Sequence, residues 1–322
     1  MSEKRILITG ATGFIGSNIL RFGLEKKEAT FFAVVRKNTK NLWRIKDLID
    51  SHSVNIIELD LTDIASVNEM MKQIKPDVVF HCATYGMFLD KEKDFNSMIE
   101  INIKSLISLI NFAFENKVKT FINTGSTSEY GIKTKPMKEN MSLEPVNMYG
   151  ATKAAGTIIA SQIARTLKFN LVTLRLSSPF GPYEDKRRLI PSLILSVLDK
   201  KNPSLSSPYS VRDFIYVKDV ANAFFKASEK NDLKPGDIFN IGRGKQKSVK
   251  DIVKIVEKVS KTRIEPEWGR VISKQQEPKV WRTDNRKAIN SLSWKPFYTL
   301  FNGLKETFDW FKINKNFYTK GD

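Results

Sequence analysis

Tyr149 and Lys153 stand four residues apart in Tyr149-Gly150-Ala151-Thr152-Lys153, a spacing that puts both side chains on one face of a helix. A carbonyl carbon that takes up a hydride leaves an oxygen that must take up a proton, and a phenol beside an ammonium group can supply it. A free phenol titrates near ~10, which is poorly matched to neutral pH. The charge of Lys153 favours the phenolate and is expected to lower that value. Far upstream, the apolar run Ile6-Leu7-Ile8 enters glycines at 10, 13 and 16. Glycine is needed there because the backbone must turn tightly and approach a pyrophosphate with no Cβ in the way. The next helix would aim its free N–H groups and positive dipole end at the phosphates. A dinucleotide cradle and a Tyr/Lys pair together imply hydride chemistry.

These residues need elements that hold them. Apolar, β-rich runs recur at 5–9, 30–35, 54–58, 77–81, 119–123 and 171–176, with helical patterns between them. Over 62–75, Val67, Met70, Met71 and Ile74 fall at helical spacing behind Asp63, a candidate N-cap. A longer helix is expected over 95–116, with Ile99, Ile103, Leu106 and Ile110 on one stripe; such stripes read as core. Strands alternating with helices predict an α/β fold, a doubly wound parallel sheet of the Rossmann type. After Pro179 the rhythm breaks at Pro182, Pro191, Pro203 and Pro208. Residues 1–178 are therefore expected to form a dinucleotide-binding domain. Residues 179–322 would form a smaller α/β substrate lobe over the carboxyl ends of the strands, with about 212–242 returning to the first domain.

Composition narrows the partners. The chain has 322 residues and a formal charge of +18, but its lysines are dispersed, without an arginine-rich tract or aromatic platform. Nucleic-acid binding is not expected; the excess charge suits steering of anionic ligands. No leader-like or membrane-spanning apolar run is evident. The single cysteine, Cys82, cannot form an internal disulfide and fits a reducing cytoplasm. No cluster of His, Cys or carboxylates has metal-ligand spacing, so no metal is expected.

The second apolar strand ends in Arg36 and Lys37, where an NAD-binding protein usually places an acidic residue for the ribose hydroxyls. An arginine fork suits a phosphate instead. NADP(H) is therefore the expected cofactor, with NAD possible if Asn38 binds the ribose.

The glycine pattern, Tyr149 and Lys153 together resemble the extended short-chain dehydrogenase/reductase family, of the NAD-dependent epimerase/dehydratase type. The resemblance spans nearly the whole chain and implies a nucleotide-sugar enzyme, often homodimeric. It implies cofactor contacts from Gly10, Thr12, Gly13, Phe14, Ile15 and Gly16, and from Asp60 and Leu61 beside the adenine. Cys82, Ala83, Thr84 and Thr124 would lie along the cofactor, and Ser178 and Pro179 under the nicotinamide. Lys153 would hold the nicotinamide ribose together with Tyr149. Counting back from Tyr130-Gly131 assigns to Ser126 the hydroxyl that touches the reacting oxygen, with Thr127 next in line. His81 reads as a structural strand-end residue rather than a catalyst.

Arg212-Asp213-Phe214-Ile215-Tyr216-Val217-Lys218-Asp219-Val220 matches the family motif whose arginine clamps the sugar-nucleotide pyrophosphate. Asp213 would organise that loop and Asp219 would cap the next helix. Ser178 stands where asparagine is usual, and Glu277 is a candidate partner for the nucleotide ribose. Family 4,6-dehydratases carry an Asp-Glu pair where this chain has Thr127 and Ser128, so water elimination lacks its proton carriers; Glu129, one place further on, is expected to point away. The expected activity is NADP(H)-dependent reduction of a 4-keto-6-deoxy or dideoxy sugar nucleotide, and the chain also resembles CDP-abequose and CDP-paratose synthases. The alternatives are a 4-epimerase with tightly bound NAD, then a dehydratase, then a non-catalytic NADP-binding sensor or scaffold.

Overall fold

In the computed structural model, which describes residues 3–87, 93–271 and 278–319, seven parallel strands form the central sheet. They are β1 (Lys4–Thr9), β2 (Ala29–Val35), β3 (Asn55–Glu58), β4 (Val78–His81), β5 (Thr120–Ser126), β6 (Leu171–Leu176) and β7 (Ile238–Ile241). Their order in space is β7-β6-β5-β4-β1-β2-β3. Ile8 lies opposite Ala33 on one side and Phe80 on the other. Every residue of β4 and β6 is buried, because helices cover both faces of a parallel sheet. The chain builds outward from β1 to β3 and then returns to place β4 on the other side of β1. Ligands bind in open α/β sheets at this reversal, beyond the carboxyl ends of the strands.

Helices α1 (Phe14–Lys26) and, later, Val217–Ser228 cover one face, packing Ile19, Leu20 and Phe224 on Ile6 and Ile8. The other face is covered by α2 (Ile64–Ile74), a helix that begins at Phe95 and ends at Glu115, here α3, and α4 (Met148–Leu167). Met71, Leu109 and Ala160 there pack against Leu7 and Val79. Asp63 caps α2 by accepting from the Ser66 amide at 3.2 Å. Helix α3 is long and apolar enough to cross a membrane by length and composition, but Leu106, Leu109, Ile110 and Ala113 are core residues.

Helix α3 departs from its expected stripe. A π-turn occupies Glu100–Lys104, and one extra residue there rotates the downstream turns of the helix. Met98, Asn102 and Leu109 are consequently buried, whereas Ile99 and Ile103 are only half-buried.

Beyond Pro179 the chain first forms α5 (Leu189–Leu198), then α6, the Val217–Ser228 helix already described, and then β7, which pairs with β6. Helices α7 (Val249–Ser260) and α8 (Leu300–Asn314) join α5 around a third core that includes Phe180, Tyr216, Ile252 and Leu304. Asp219 does not cap a helix. It sits in the first turn of α6, and its two oxygens accept the amides of Phe297 and Tyr298 at 2.8 and 3.1 Å. The carboxylate thereby ties the segment before α8 to the sheet, and burial pushes its pKa up to about 6.

Candidate active site

Each glycine of the β1–α1 turn has a separate steric reason. Gly10 has φ +66, and a Cβ there would lie 2.6 Å from the Ala83 nitrogen. On Gly16 a Cβ would lie 2.3 Å from the Gly10 carbonyl oxygen, and on Gly13 3.1 Å from the same atom. The turn therefore folds against both the β4 loop and its own helix. Gly13 is the N-cap of α1 and provides no side-chain acceptor. The first-turn amides consequently face the cleft without a side-chain cap, an arrangement that fits an anionic diphosphate.

A cleft of about 740 Å³ runs along the carboxyl ends of the strands. Gly10, Thr12, Gly13, Phe14 and Ile15 line it, as do Arg36, Asp60, Leu61, Cys82, Ala83, Thr84 and Thr124. Ser126, Thr127, Tyr149, Ser178, Pro179 and Arg212 complete the sequence-derived set on its wall. Three predicted residues lie off this wall. Gly16 is buried behind the turn, Lys153 is 5% exposed beneath the wall, and Lys37 lines an adjoining surface hollow with Arg36, Asn38 and Asp60. Glu277 lies outside the described residues. Among those described, no group of three or more His, Cys, Asp or Glu could hold a metal ion.

Strand β5 runs on to Ser126, three residues beyond the apolar pattern, and so delivers its hydroxyl to the cleft. Asn147 caps α4 by accepting from the Gly150 amide at 2.7 Å, which starts the helix just before Tyr149. The Tyr149 side chain shares this cleft with Ser126 and Thr84. Burial is the largest influence on Tyr149 and raises its pKa; the Ser126 hydrogen bond and the Arg188 charge oppose it, while Glu129 adds to the rise. Lys153 is not among the leading influences on the phenol, so the expected lowering of its pKa by this neighbour is corrected. Burial also lowers the Lys153 ammonium, against the opposing pull of Glu129. A lysine this deep has its charge opposed by desolvation, and its field at the phenol is not the dominant one.

Asn102, brought inward by the π-turn, was not legible in the sequence. Its Oδ1 accepts the Tyr85 amide at 2.8 Å and the Thr84 hydroxyl at 3.2 Å. Its Nδ2 donates to the Tyr85 carbonyl at 2.9 Å and to Thr152 at 3.0 Å. One buried amide thus fixes the β4 loop, Thr84 included, against α4. The only sequence signal is a polar residue amid an apolar helical run.

His81 forms a 2.8 Å hydrogen bond between Nδ1 and the Thr9 hydroxyl, and burial pushes its pKa down to about 3. It is neutral and structural. Burial likewise pushes the Cys82 thiol up to about 12, removing it as a nucleophile near neutral pH. Asp213 organises its loop by accepting the amides of Arg243, Gly244 and Thr283 and the Thr283 hydroxyl. Arg212 stacks over Trp281 at 5.2 Å. Ser178 has φ +35, a conformation that suits asparagine better than serine.

Glu184, also on the cleft, is a buried carboxyl whose Oε2 has no hydrogen-bond partner among the described residues. Burial pushes its pKa from 4.5 up to about 8, with the Arg188 charge opposing. A group raised in the folded state contributes stability that is fully present below its unfolded value and is lost as pH rises through the folded one. Glu184→Gln should therefore be nearly neutral below about pH 4.5 and stabilising by a few kcal/mol above about pH 8. Thermal melts across that range check it; a pH-independent difference would contradict the assignment.

A dinucleotide turn at the sheet's reversal, with a serine and a tyrosine on the cleft wall and a lysine buried beneath it, corresponds to a family pattern that matches residues 6–242: the NAD dependent epimerase/dehydratase family. The chain belongs to that family. It is an extended short-chain dehydrogenase/reductase enzyme. The dTDP-glucose 4,6-dehydratase of Salmonella typhimurium is 27% identical, the match covering 96% of this chain and 93% of the relative. The uncharacterized UDP-glucose epimerase YtcB of Bacillus subtilis is 29% identical, covering 93% and 95%. Among solved structures, UDP-glucuronic acid 4-epimerase from Bacillus cereus, in complex with UDP-glucuronic acid and NAD, superposes with a TM-score of 0.86. It is 26% identical, and the match covers 96% of this chain and 99% of that one.

Proposed function

We propose that this enzyme reduces a 4-keto-6-deoxy or dideoxy sugar nucleotide at carbon 4 with exchangeable NADP(H). The observation that carries the cofactor reading is the tip of β2, where Arg36 and Lys37 are exposed at the mouth of the cleft and no carboxylate follows the strand directly. Asp60, an acid on the cleft wall, has its Oδ1 engaged by the Thr62 amide and hydroxyl at 2.9 and 2.8 Å. A guanidinium favours a ribose 2′-phosphate over a free hydroxyl.

When bound, the nicotinamide supplies the hydride. Ser126 polarises the sugar oxygen by donating a hydrogen bond, and Tyr149 gives the proton that the developing alkoxide requires. Lys153 beneath them offers the cation for the cofactor ribose. Thr127 is buried with its hydroxyl on the Leu176 carbonyl at 3.3 Å, and Ser128 carries no acid. Elimination of water is left without the carboxyl pair it needs, which favours reduction or epimerisation over dehydration.

Epimerisation at carbon 4 is the second reading. It draws on the same Ser/Tyr/Lys set and on the likeness to the Bacillus cereus 4-epimerase. The two readings separate by cofactor. Arg36→Ala should weaken NADPH binding about tenfold while leaving NADH within about twofold. Fluorescence titration of both reduced dinucleotides decides it, and equal effects on the two would count against the phosphate reading.

A further inference from the structure

The residue directly before Tyr130 is a wholly buried acid. Glu129 is 0% exposed, and it turns away from the cleft to a position beneath it. Its Oε1 accepts the Ser126 amide at 2.8 Å and the Thr157 hydroxyl of α4 at 3.1 Å. Its Oε2 accepts Arg175 Nε of β6 at 2.6 Å. Arg175 in turn donates to the Tyr130 hydroxyl at 2.9 Å, and Tyr130 donates to Asn240 of β7 at 2.7 Å. One carboxylate thus joins β5, β6 and α4 at the level of the reacting groups.

We propose that Glu129 is a positioning residue of the reaction centre, whose buried carboxylate fixes the backbone of Ser126 and places a negative charge beneath the reacting groups. The proposal rests on the reading of Ser126, Tyr149 and Lys153 given above.

The charges around the site are few. Lys153 feels the charge of Glu129 and the Cys82 thiol, and the neutral imidazole of His81 feels that of Lys153. Tyr149 feels the charges of Glu129 and Arg188. Arg175 faces Glu129 and Tyr130. Glu129 is therefore the acid common to Lys153, Tyr149 and Arg175. Burial pushes its own carboxyl up, with Arg175 and Lys153 opposing; the guanidinium 2.6 Å away does not give up its proton in a protein and favours the carboxylate form. A structural ion pair alone would need only Arg175. The second oxygen bonds instead to the Ser126 amide, in reach of the reactive hydroxyls. Space is closed around it, since a Cβ on Gly125 would lie 2.7 Å from Glu129 Oε1.

Glutamine at this position keeps the shape and an acceptor for Ser126 but removes the charge. Removing one member of a buried pair also strands the other, so Glu129→Gln is paired with the double variant Glu129→Gln/Arg175→Met, in which the Arg175 charge is no longer left stranded while Lys153 still lacks its acid. Affinity for NADPH and NADH is measured from about pH 6 to 10, and turnover of the keto-sugar nucleotide at neutral pH. The alkaline loss of dinucleotide affinity, set by Lys153, should move to lower pH by about half a unit or more in both variants. kcat should fall about tenfold or more with KM changed less than about threefold. A double variant that folds, melts normally and keeps the wild-type pH limb and kcat would overturn the proposal and leave Glu129 a purely structural ion pair. If the single variant does not fold, the double variant decides. If wild-type enzyme turns over no sugar nucleotide, the functional reading fails while the dinucleotide limb still decides the role of Glu129.

Discussion

Tyr149→Phe should lower kcat about 10²–10⁴-fold while leaving the melting temperature and the affinity for reduced dinucleotide nearly unchanged. The neighbouring hydroxyls have partners of their own: Thr84 donates to Asn102 at 3.2 Å and Ser126 accepts the Ser128 amide at 3.1 Å. The ring stays in place because α4 is capped by Asn147 and fixed by Asn102 through Thr152. Only the proton is lost. Burial raises the phenol's pKa, so it is protonated over the neutral range and ready to donate. Reduction should accordingly hold up through neutral pH and fall at alkaline pH, as the donor loses its proton. A Tyr149→Phe enzyme with wild-type kcat would remove Tyr149 from the chemistry.

Gly10→Ala is expected to cost about 3 kcal/mol of stability and about a hundredfold in dinucleotide affinity. A side chain at φ +66 is strained, and its Cβ would meet the Ala83 nitrogen at 2.6 Å and the Cys82 carbonyl carbon at 2.7 Å. Both atoms are backbone at the end of β4 and cannot swing aside. The turn would have to lift and carry the amides of α1 away from the phosphates. Gly269→Ala provides the contrast, having φ +77 but nothing within 4 Å of its Cβ. It should cost only about 1 kcal/mol and leave dinucleotide binding intact. Denaturant melts and fluorescence titration of both variants check the pair; equal losses of affinity would show that the contact with β4 is not what matters.

Six of the seven strands are legible because parallel strands buried on both faces are continuous apolar runs, and the turn at Gly10 because its chemistry is local; β7 (Ile238–Ile241) is not among those runs. Residues whose roles depend on distant partners are not legible. Asn102 gains its role from a π-turn that breaks the 3.6-residue period, which no apolar spacing announces. Glu129 does point away from the cleft, as its place in the chain suggested, but its partner Arg175 lies 46 residues downstream. Nothing in the local sequence shows that it reaches beneath Ser126. Asp219 looked like a cap because an acid opens an apolar helical pattern, yet its partners are amides 78 and 79 residues away. The effect of Lys153 on Tyr149 was misjudged for a related reason. Spacing gives a shared helix face, whereas the pKa depends on burial, which only the packed fold determines.

The most direct test of NADP(H)-dependent reduction is to incubate the purified enzyme with 4-keto-6-deoxy sugar nucleotides and NADPH, following nicotinamide absorbance while identifying the product. NADPH should be oxidised one-to-one with the appearance of a new hydroxyl at carbon 4, with NADH much less effective. Tightly retained NAD, with interconversion of sugar epimers and no net consumption of NADPH, would contradict it and establish the epimerase instead.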